Sequence, residues 1–268
     1  MKKMYLFMIY ALLYIPIIIL ILYSFNQARF SLRWHGFSTN WYSELVYDRA
    51  LWSTFLHSII LGLSAALIST CMGLFACVQF FLHRSQRRFF DILILALIIL
   101  PDLVLGVALL IFFNITKISL GFCSLLIAHI TFCLPFTVLT INSRLHHLDR
   151  NMYFSAMDLG ASHWTALRKV IYPLLTSTVL SAFLLAFTLS FDDVIISYFV
   201  SGPEFNILPL TIYALVRAGV TPELNALCTV TLLLSMLLVI LAHRLARETH
   251  ESLVDGDCFI YADISSDG

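Results

Sequence analysis

The sequence predicts an all-α integral membrane protein with six transmembrane helices. Three observations carry that prediction. Hydrophobic side chains make up 60% of the 268 residues and charged ones 12%, about half the charge of an average globular chain, and mean hydropathy is +0.91. The apolar residues gather into six runs, each close to the ~20 residues a helix needs to cross the hydrocarbon core. The positive charge is also asymmetric. Eleven of the sixteen Lys and Arg residues lie at the N-terminus, at 83–90, within 143–173 or after the last run, and five lie in the other connections. Lys and Arg collect in cytoplasmic connections, so both termini and the segment 143–173 are expected in the cytoplasm. The acidic residues near the C-terminus do not oppose this, because Asp and Glu contribute little to orientation.

Taken in order, Lys2 and Lys3 precede Tyr5–Phe25, which makes 1–26 the first span. It reads as a retained span and not as a cleaved signal, since no small-residue cleavage site follows it. Residues 27–54 are polar and aromatic and form an external loop in which Trp34, Trp41 and Tyr42 read as interfacial anchors. The region 55–245 then reads as one transmembrane domain. Its second span, 55–82, ends at the basic turn His83–Arg88, and its third, 91–114, is interrupted by Pro101-Asp102. The fourth span, 121–141, contains Pro135. After the connection 143–173 come a fifth span, 174–200, an external segment opened by Ser201-Gly202-Pro203, and a sixth span, 224–242. The polar tail 246–268, with Asp255, Asp257, Asp263 and Asp267, has little apolar period and reads as solvated.

The segment Tyr153–Leu175 is the one long polar interruption of the second half. Asp158-Leu159-Gly160-Ala161-Ser162 reads as a helix end and turn, Gly160 supplying a left-handed residue and Ser162 a cap for the next helix. Trp164, Leu167, Val170 and Ile171 then recur at helical spacing, predicting a short amphipathic helix that offers an apolar stripe to a partner, with Arg168 and Lys169 on its rim. Pro173 opens the next apolar run.

Chemistry within the spans rests on a few carboxylates, each costly in hydrocarbon unless paired or facing a polar cavity. Asp192 and Asp193 are adjacent; Ser190, Asp193 and Ser197 share one helical face, and Thr188 and Asp192 the neighbouring one. At 1.5 Å per residue Asp193 lies on the order of 10 Å below the outer mouth. Such a pair wants cations, which a diffusing cationic substrate or a fixed Arg217 or Lys117 could supply. Asp102 follows Pro101 near the middle of the third span, where a broken helix can build a transport site or where the carboxylate can cap the restarting helix. Phe187, Phe191, Tyr198 and Phe199 offer aromatic faces to an ammonium group, or serve as core and lipid contacts. The six cysteines form no C-x-x-C pair, and no metal site, P-loop, G-x-S-x-G or H-E-x-x-H motif occurs. A catalytic role and nucleotide binding by this chain are therefore not expected, and no basic run suggests a nucleic-acid partner.

The turn segment resembles the cytoplasmic coupling (EAA) loop of ABC-importer permeases, whose pattern runs Glu-Ala-Ala, three residues, Gly, nine residues, a hydrophobic residue, any residue, Leu and Pro. Phe154-Ser155-Ala156, Gly160, Val170, Tyr172 and Pro173 fall at those places, with Phe154 where Glu is usual and Tyr172 where Leu is usual. SHWTALRKVIYPLL, LSFDDVIISYFVSGP, NILPLTIYALVRAGVTPELNAL and HITFCLPF further resemble the second inner-membrane permease of spermidine/putrescine importers, and this resemblance extends to about Arg247. It implies the ABC-importer permease (MetI-like) fold in a bacterial inner (plasma) membrane. It also implies ATP-driven polyamine import by alternating access, with two copies of an ATP-binding subunit that uses ATP and Mg, a second homologous permease, and a periplasmic polyamine-binding protein. Under this reading Phe154, Ser155, Ala156, Asp158, Gly160, Ala161, Arg168 and Pro173 couple to the ATPase, while Asp102, Asp192, Asp193, Ser190 and Ser197 line the substrate path. A sister importer for another small solute, or a non-transporting scaffold, would share the fold; a channel or secondary carrier would need no coupling loop.

Overall fold

The computed structural model describes residues 2–28, 33–82, 87–219, 221–237 and 240. The basic turn at 83–86 and the tail 246–268 therefore lie outside the described residues. Apart from one isolated bridge, Asn26 with Phe37, the regular structure among the described residues is helical, as it must be where a backbone in hydrocarbon satisfies its own polar groups. In chain order the helices are α1 (Lys2–Tyr23), α2 (Asn40–Tyr47), α3 (Arg49–Leu82), α4 (Arg87–Ile99), α5 (Asp102–Thr116) and α6 (Phe122–His147). They continue with α7 (Asn151–Asp158), α8 (His163–Ala166), α9 (Tyr172–Asp192), α10 (Ile195–Val200), α11 (Leu208–Ala218) and α12 (Pro222–Leu237). Among the described residues four helical stretches are long and apolar enough to cross a membrane, and a fifth results if the bent pair α4–α5 counts as one span. The described part of the expected sixth span, 224–242, belongs to the apolar helix α12, and its residues 238–239 and 241–242 lie outside the described residues.

The chain divides into two compact units, one of Met1–Ile59 with Glu204–Leu237 and the other built on Ile60–Pro203. In the first unit, α1 exposes apolar side chains around its circumference. The loop after it is more ordered than its polarity suggests. Asn26 is fully buried, its side chain donating to the Arg33 carbonyl (3.0 Å) and accepting from the His35 N–H (3.0 Å). Trp41 is buried and donates from Nε1 to the Asn26 carbonyl (2.8 Å), and the Tyr42 and Ser24 hydroxyls lie 2.6 Å apart. Trp41 and Tyr42 thus close a small loop core; only Trp34 is exposed in the manner of an interfacial anchor.

α3 starts at Arg49, before the apolar run, because Asp48 Oδ1 accepts from the N–H groups of Ala50 (2.8 Å) and Leu51 (3.1 Å) and caps a helix that begins in polar surroundings. Downstream, the Ser58 hydroxyl accepts from the first N–H of α11, Leu208 (2.8 Å), and His57 stacks on Phe205. The expected external segment after 203 therefore contains an apolar helix whose start is tied to α3.

In the second unit, α6 packs along α9, α4 packs against α6, and α10 packs against both α5 and α6. The third span breaks at Pro101, which has no N–H for the preceding turn, and α4 and α5 meet at 103°. α5 approaches α10 at Gly106, where a Cβ would come within 2.9 Å of the Phe199 ring and 3.3 Å of the Ile196 Cα. At the other end of the unit, Phe81, Ile94, Ile141, Leu145, Tyr153, Ile171 and Leu175 form a core that joins α3, α4, α6 and α9 to the α7–α8 turn.

Candidate functional site

Two places carry the residues singled out in the sequence. The first is a break in the fifth span. The shared face of Ser190, Asp193 and Ser197 predicts a continuous helix, but α9 stops at Asp192 and Asp193 is extended (φ −70°, ψ 125°) before α10 begins at Ile195. The Asp193 carboxylate turns onto the N–H groups this break leaves open. Its Oδ1 accepts from Ile196 N–H (3.2 Å), and its Oδ2 from Ser197 N–H (2.8 Å) and Ser197 Oγ–H (2.8 Å). The three residues meet through a cap rather than along a stripe.

The fourth member of the cluster is His129 of α6, missed in the sequence reading. It is 1% exposed; its Nδ1 lies 2.7 Å from Ser190 Oγ and its Nε2 2.9 Å from Ser197 Oγ. Ser197 Oγ gives its proton to Asp193, so its oxygen accepts from His129 Nε2–H, and Nε2 also lies 3.8 Å from Asp193 Oδ2; the direction of the bond between Nδ1 and Ser190 Oγ follows the protonation of the ring. The chain Ser190 to His129 to Ser197 to Asp193 is closed, and its terminal carboxylate is 9% exposed with three donors on it. His129 was legible in principle, as an ionisable ring in an apolar run that must find a partner.

Asp192 and Asp102 stand outside this cluster, and both are exposed. Asp102 is in the first turn of α5, where it makes no cap hydrogen bond; that turn is held by the Pro101 carbonyl accepting from Val104 and Leu105. Among the described residues no lysine or arginine forms an ion pair with Asp102, Asp192 or Asp193. Phe187 and Phe191 are buried and stacked on each other at 5.7 Å, whereas Tyr198 presents an exposed aromatic surface beside the break.

The second place is the α7–α8 turn. Gly160 has φ +88°, its N–H donates to the Met157 carbonyl (2.9 Å), and Ala161 N–H donates to the Ala156 carbonyl (3.1 Å). These are the paired bonds of a Schellman C-cap, which favours glycine at this left-handed position. Ser162 Oγ accepts from Thr165 N–H (3.3 Å) and caps α8, and Tyr153 and His163 join across the turn through the phenol and Nδ1. Beyond Ala166 the helix does not end. It runs from His163 to Asp192 through a π turn at Leu167–Ile171, in which Tyr172 N–H reaches the Leu167 carbonyl. This widened turn lies just before Pro173, which cannot donate to the carbonyl four residues back.

The expected apolar stripe faces mostly inward: Leu167, Val170 and Ile171 pack into the core of their own unit. The exposed apolar surface is made instead by Met152, Phe154, Leu159 and Trp164, with Ser155, Asp158, Gly160 and Arg168 exposed around it and Ala156 and Ala161 half-buried beneath. At the position of the usual Glu, the Phe154 ring lies 5.9 Å from the Arg150 guanidinium, which is also 5.5 Å from the Phe81 ring and donates to the last carbonyl of α3, Leu82 (2.6 Å).

Over 241 residues the chain is 46% identical to the spermidine/putrescine transport system permease protein PotC of Escherichia coli (strain K12), covering 90% of this chain and 91% of that one. It is 44% identical over 251 residues to the protein of the same name from Haemophilus influenzae, covering 93% and 98%. Among solved structures it superposes on a subunit of a bacterial alginate ABC transporter, in complex with its alginate pentasaccharide-bound periplasmic protein, with TM-score 0.71 over 92% of this chain and 93% of that one; at 14% identity this likeness speaks to the fold alone. Residues 69–248 match the family of binding-protein-dependent transport system inner membrane components. By both the family match and the length of the identity, the chain belongs to that family of multi-pass inner-membrane transport permeases.

Proposed function

We propose that this chain is a permease subunit of an ATP-driven importer that moves polyamines such as spermidine and putrescine across the bacterial inner membrane by alternating access. The observation that carries the proposal is the 46% identity to a spermidine/putrescine permease across 90% of the chain. The carboxylates support it chemically. A polyamine is a chain of ammonium groups spaced by methylenes, so its path needs separated anions and apolar or aromatic walls. Asp102 and Asp192 are exposed carboxylates at two helix breaks with no fixed cationic partner among the described residues. Asp193, Ser190 and Ser197 belong to the same path as its frame, since their polar atoms are engaged with one another and with His129.

In this reading six spans cross the membrane with both termini cytoplasmic. The surface of Met152, Phe154, Leu159 and Trp164 on the α7–α8 turn seats one of two ATP-binding subunits, which hold ATP and Mg and perform the hydrolysis. A second homologous permease completes the pathway, and a periplasmic binding protein delivers the polyamine. The chain itself is not an enzyme. Closure of the ATPase pair moves the turn, and the rigid stretch His163–Asp192 carries that movement from the Gly160 turn to the break at Asp193.

The test is uptake of labelled spermidine and of labelled putrescine into proteoliposomes that hold the assembled complex, with and without ATP. ATP-dependent accumulation of either one supports the proposal. Accumulation of a different small solute but of neither polyamine would assign the chain to a sister importer, and ATP-independent flux would assign it to another transport class.

A further inference from the structure

We infer that His129 is a positioning residue for transport: by bonding Ser190 on α9 and Ser197 on α10 it fixes the corner between them, and thereby fixes where Asp192 presents its carboxylate. The inference rests on the proposal that Asp192 meets the substrate cation. Asp192 is the last residue of α9 and Val194 is in neither helix, so the direction of the Asp192 side chain is set by whatever holds the corner. Neither glycine nor proline fixes it locally, as the sequence through the break is Phe191-Asp192-Asp193-Val194-Ile195.

Two sets of bonds hold it instead. The Asp193 cap is local and acts only on α10. The imidazole is the group that reaches both sides, at 2.7 Å to Ser190 and 2.9 Å to Ser197, from a third helix, α6, that packs along α9 and also touches α10. Asp193 cannot take over this role, because its Oδ2 already accepts two bonds from Ser197 and its Oδ1 accepts from Ile196. Ser124, also on α6, donates to the Val200 carbonyl (2.9 Å) at the far end of α10, so α6 grips α10 at both ends. The corner therefore behaves as one body with α6, and alternating access has to carry Asp192 by moving this body rather than by hinging at Asp193.

The residue is tested in the assembled complex by measuring uptake of labelled spermidine per permease subunit present in the membrane. His129→Ala loses both interhelical bonds, and uptake per subunit is expected to fall by about three- to twentyfold, the range such bonds are worth in membrane proteins. His129→Gln places an amide nitrogen near the Nε2 position and keeps only the bond to Ser197, and His129→Asn keeps only a polar group near Nδ1 for Ser190; with one side of the bridge lost, each should fall between His129→Ala and wild type. Because the variants are compared per subunit, lost abundance alone does not count, and if His129→Ala fails to assemble the Gln and Asn pair still decides. Wild-type uptake per subunit in His129→Ala, or in either the Gln or the Asn variant, overturns the inference.

Combination with Asp192→Asn separates this failure from that of the proposal it rests on. If His129 acts through Asp192, adding His129→Ala to Asp192→Asn changes the residual uptake by less than about twofold, whereas independent effects multiply. Multiplying losses would overturn the role of His129 and leave Asp192 as a substrate carboxylate. Wild-type uptake in Asp192→Asn alone would remove the substrate role of that carboxylate, and the positioning role with it.

Discussion

The adjacent carboxylates at the break should respond differently to the same substitution. Asp193→Asn retains one acceptor oxygen in place of two. Of the two fixed backbone donors, Ile196 N–H and Ser197 N–H, one is left facing an amide NH2 group, while the Ser197 hydroxyl can rotate away. A hydrogen bond to a charged group contributes about 1.5–3 kcal/mol, and a stranded buried donor costs a further 1–3 kcal/mol or so. Part of this is recovered as the corner relaxes, leaving a destabilisation of about 2–4 kcal/mol, a large share of the 5–15 kcal/mol or so that holds an ordinary domain together. Asp193→Ala, with no acceptor, should cost more. Asp192→Asn removes a carboxylate that is exposed and makes no ion pair among the described residues, so its effect on stability should stay within about 0.5 kcal/mol. The assay is thermal unfolding of the detergent-solubilised complex together with membrane abundance. A lower midpoint and reduced abundance are expected for Asp193→Asn, with both unchanged for Asp192→Asn. Equal abundance and equal midpoints for the two variants would refute the assignment of Asp193 to the frame of the break.

Three further outcomes follow from the turn and the topology. Gly160 sits at φ +88° with open space where a Cβ would go, so Gly160→Asn should transport nearly normally, whereas the β-branched Gly160→Val should strain the turn by about 1–3 kcal/mol and lower uptake per ATP hydrolysed. Arg150→Ala removes the bond to the Leu82 carbonyl and the contacts with Phe81 and Phe154, and a loss of about 1–2 kcal/mol should appear as a lower unfolding midpoint; Phe154→Glu, placed beside the same guanidinium, should leave the midpoint unchanged or raise it slightly. For topology, membrane-impermeant thiol reagents added to intact cells should modify Ser43→Cys and Glu204→Cys but not Ser162→Cys, and modification of the last would reverse the orientation.

Much of the fold was written in local chemistry. Pro101 announced the break between α4 and α5 because its missing N–H weakens the preceding turn, and Gly160 followed by Ser162 announced a turn because each supplies something a helix end lacks. The break at Asp193 was hidden for the converse reason. No residue between Phe191 and Ile195 forbids a helix, and the 190/193/197 spacing is itself helical; the chain turns there because Asp193 caps α10 and because His129, some sixty residues earlier, bonds both flanks. Continuity through Pro173 was hidden as well, since a π turn just before it lets the helix run on. Trp41 reads as an anchor by composition and is a loop-core residue by its bond to Asn26. At Asp193 and at Trp41 a partner farther along the chain decided the outcome, and at Pro173 a change of local helix geometry did.

Whether the exposed carboxylates at the two helix breaks carry a polyamine is read from ATP-dependent uptake of labelled spermidine and putrescine by complexes containing Asp192→Asn or Asp102→Asn, normalised to the permease present in the membrane. Loss of one favourable charge contact of about 1.4 kcal/mol corresponds to a tenfold change. A fall of at least about tenfold is expected for Asp192→Asn and a clear fall for Asp102→Asn, at undiminished abundance and with the ATPase activity of the partner subunits retained. Wild-type uptake of both polyamines by both variants would contradict that role of the carboxylates.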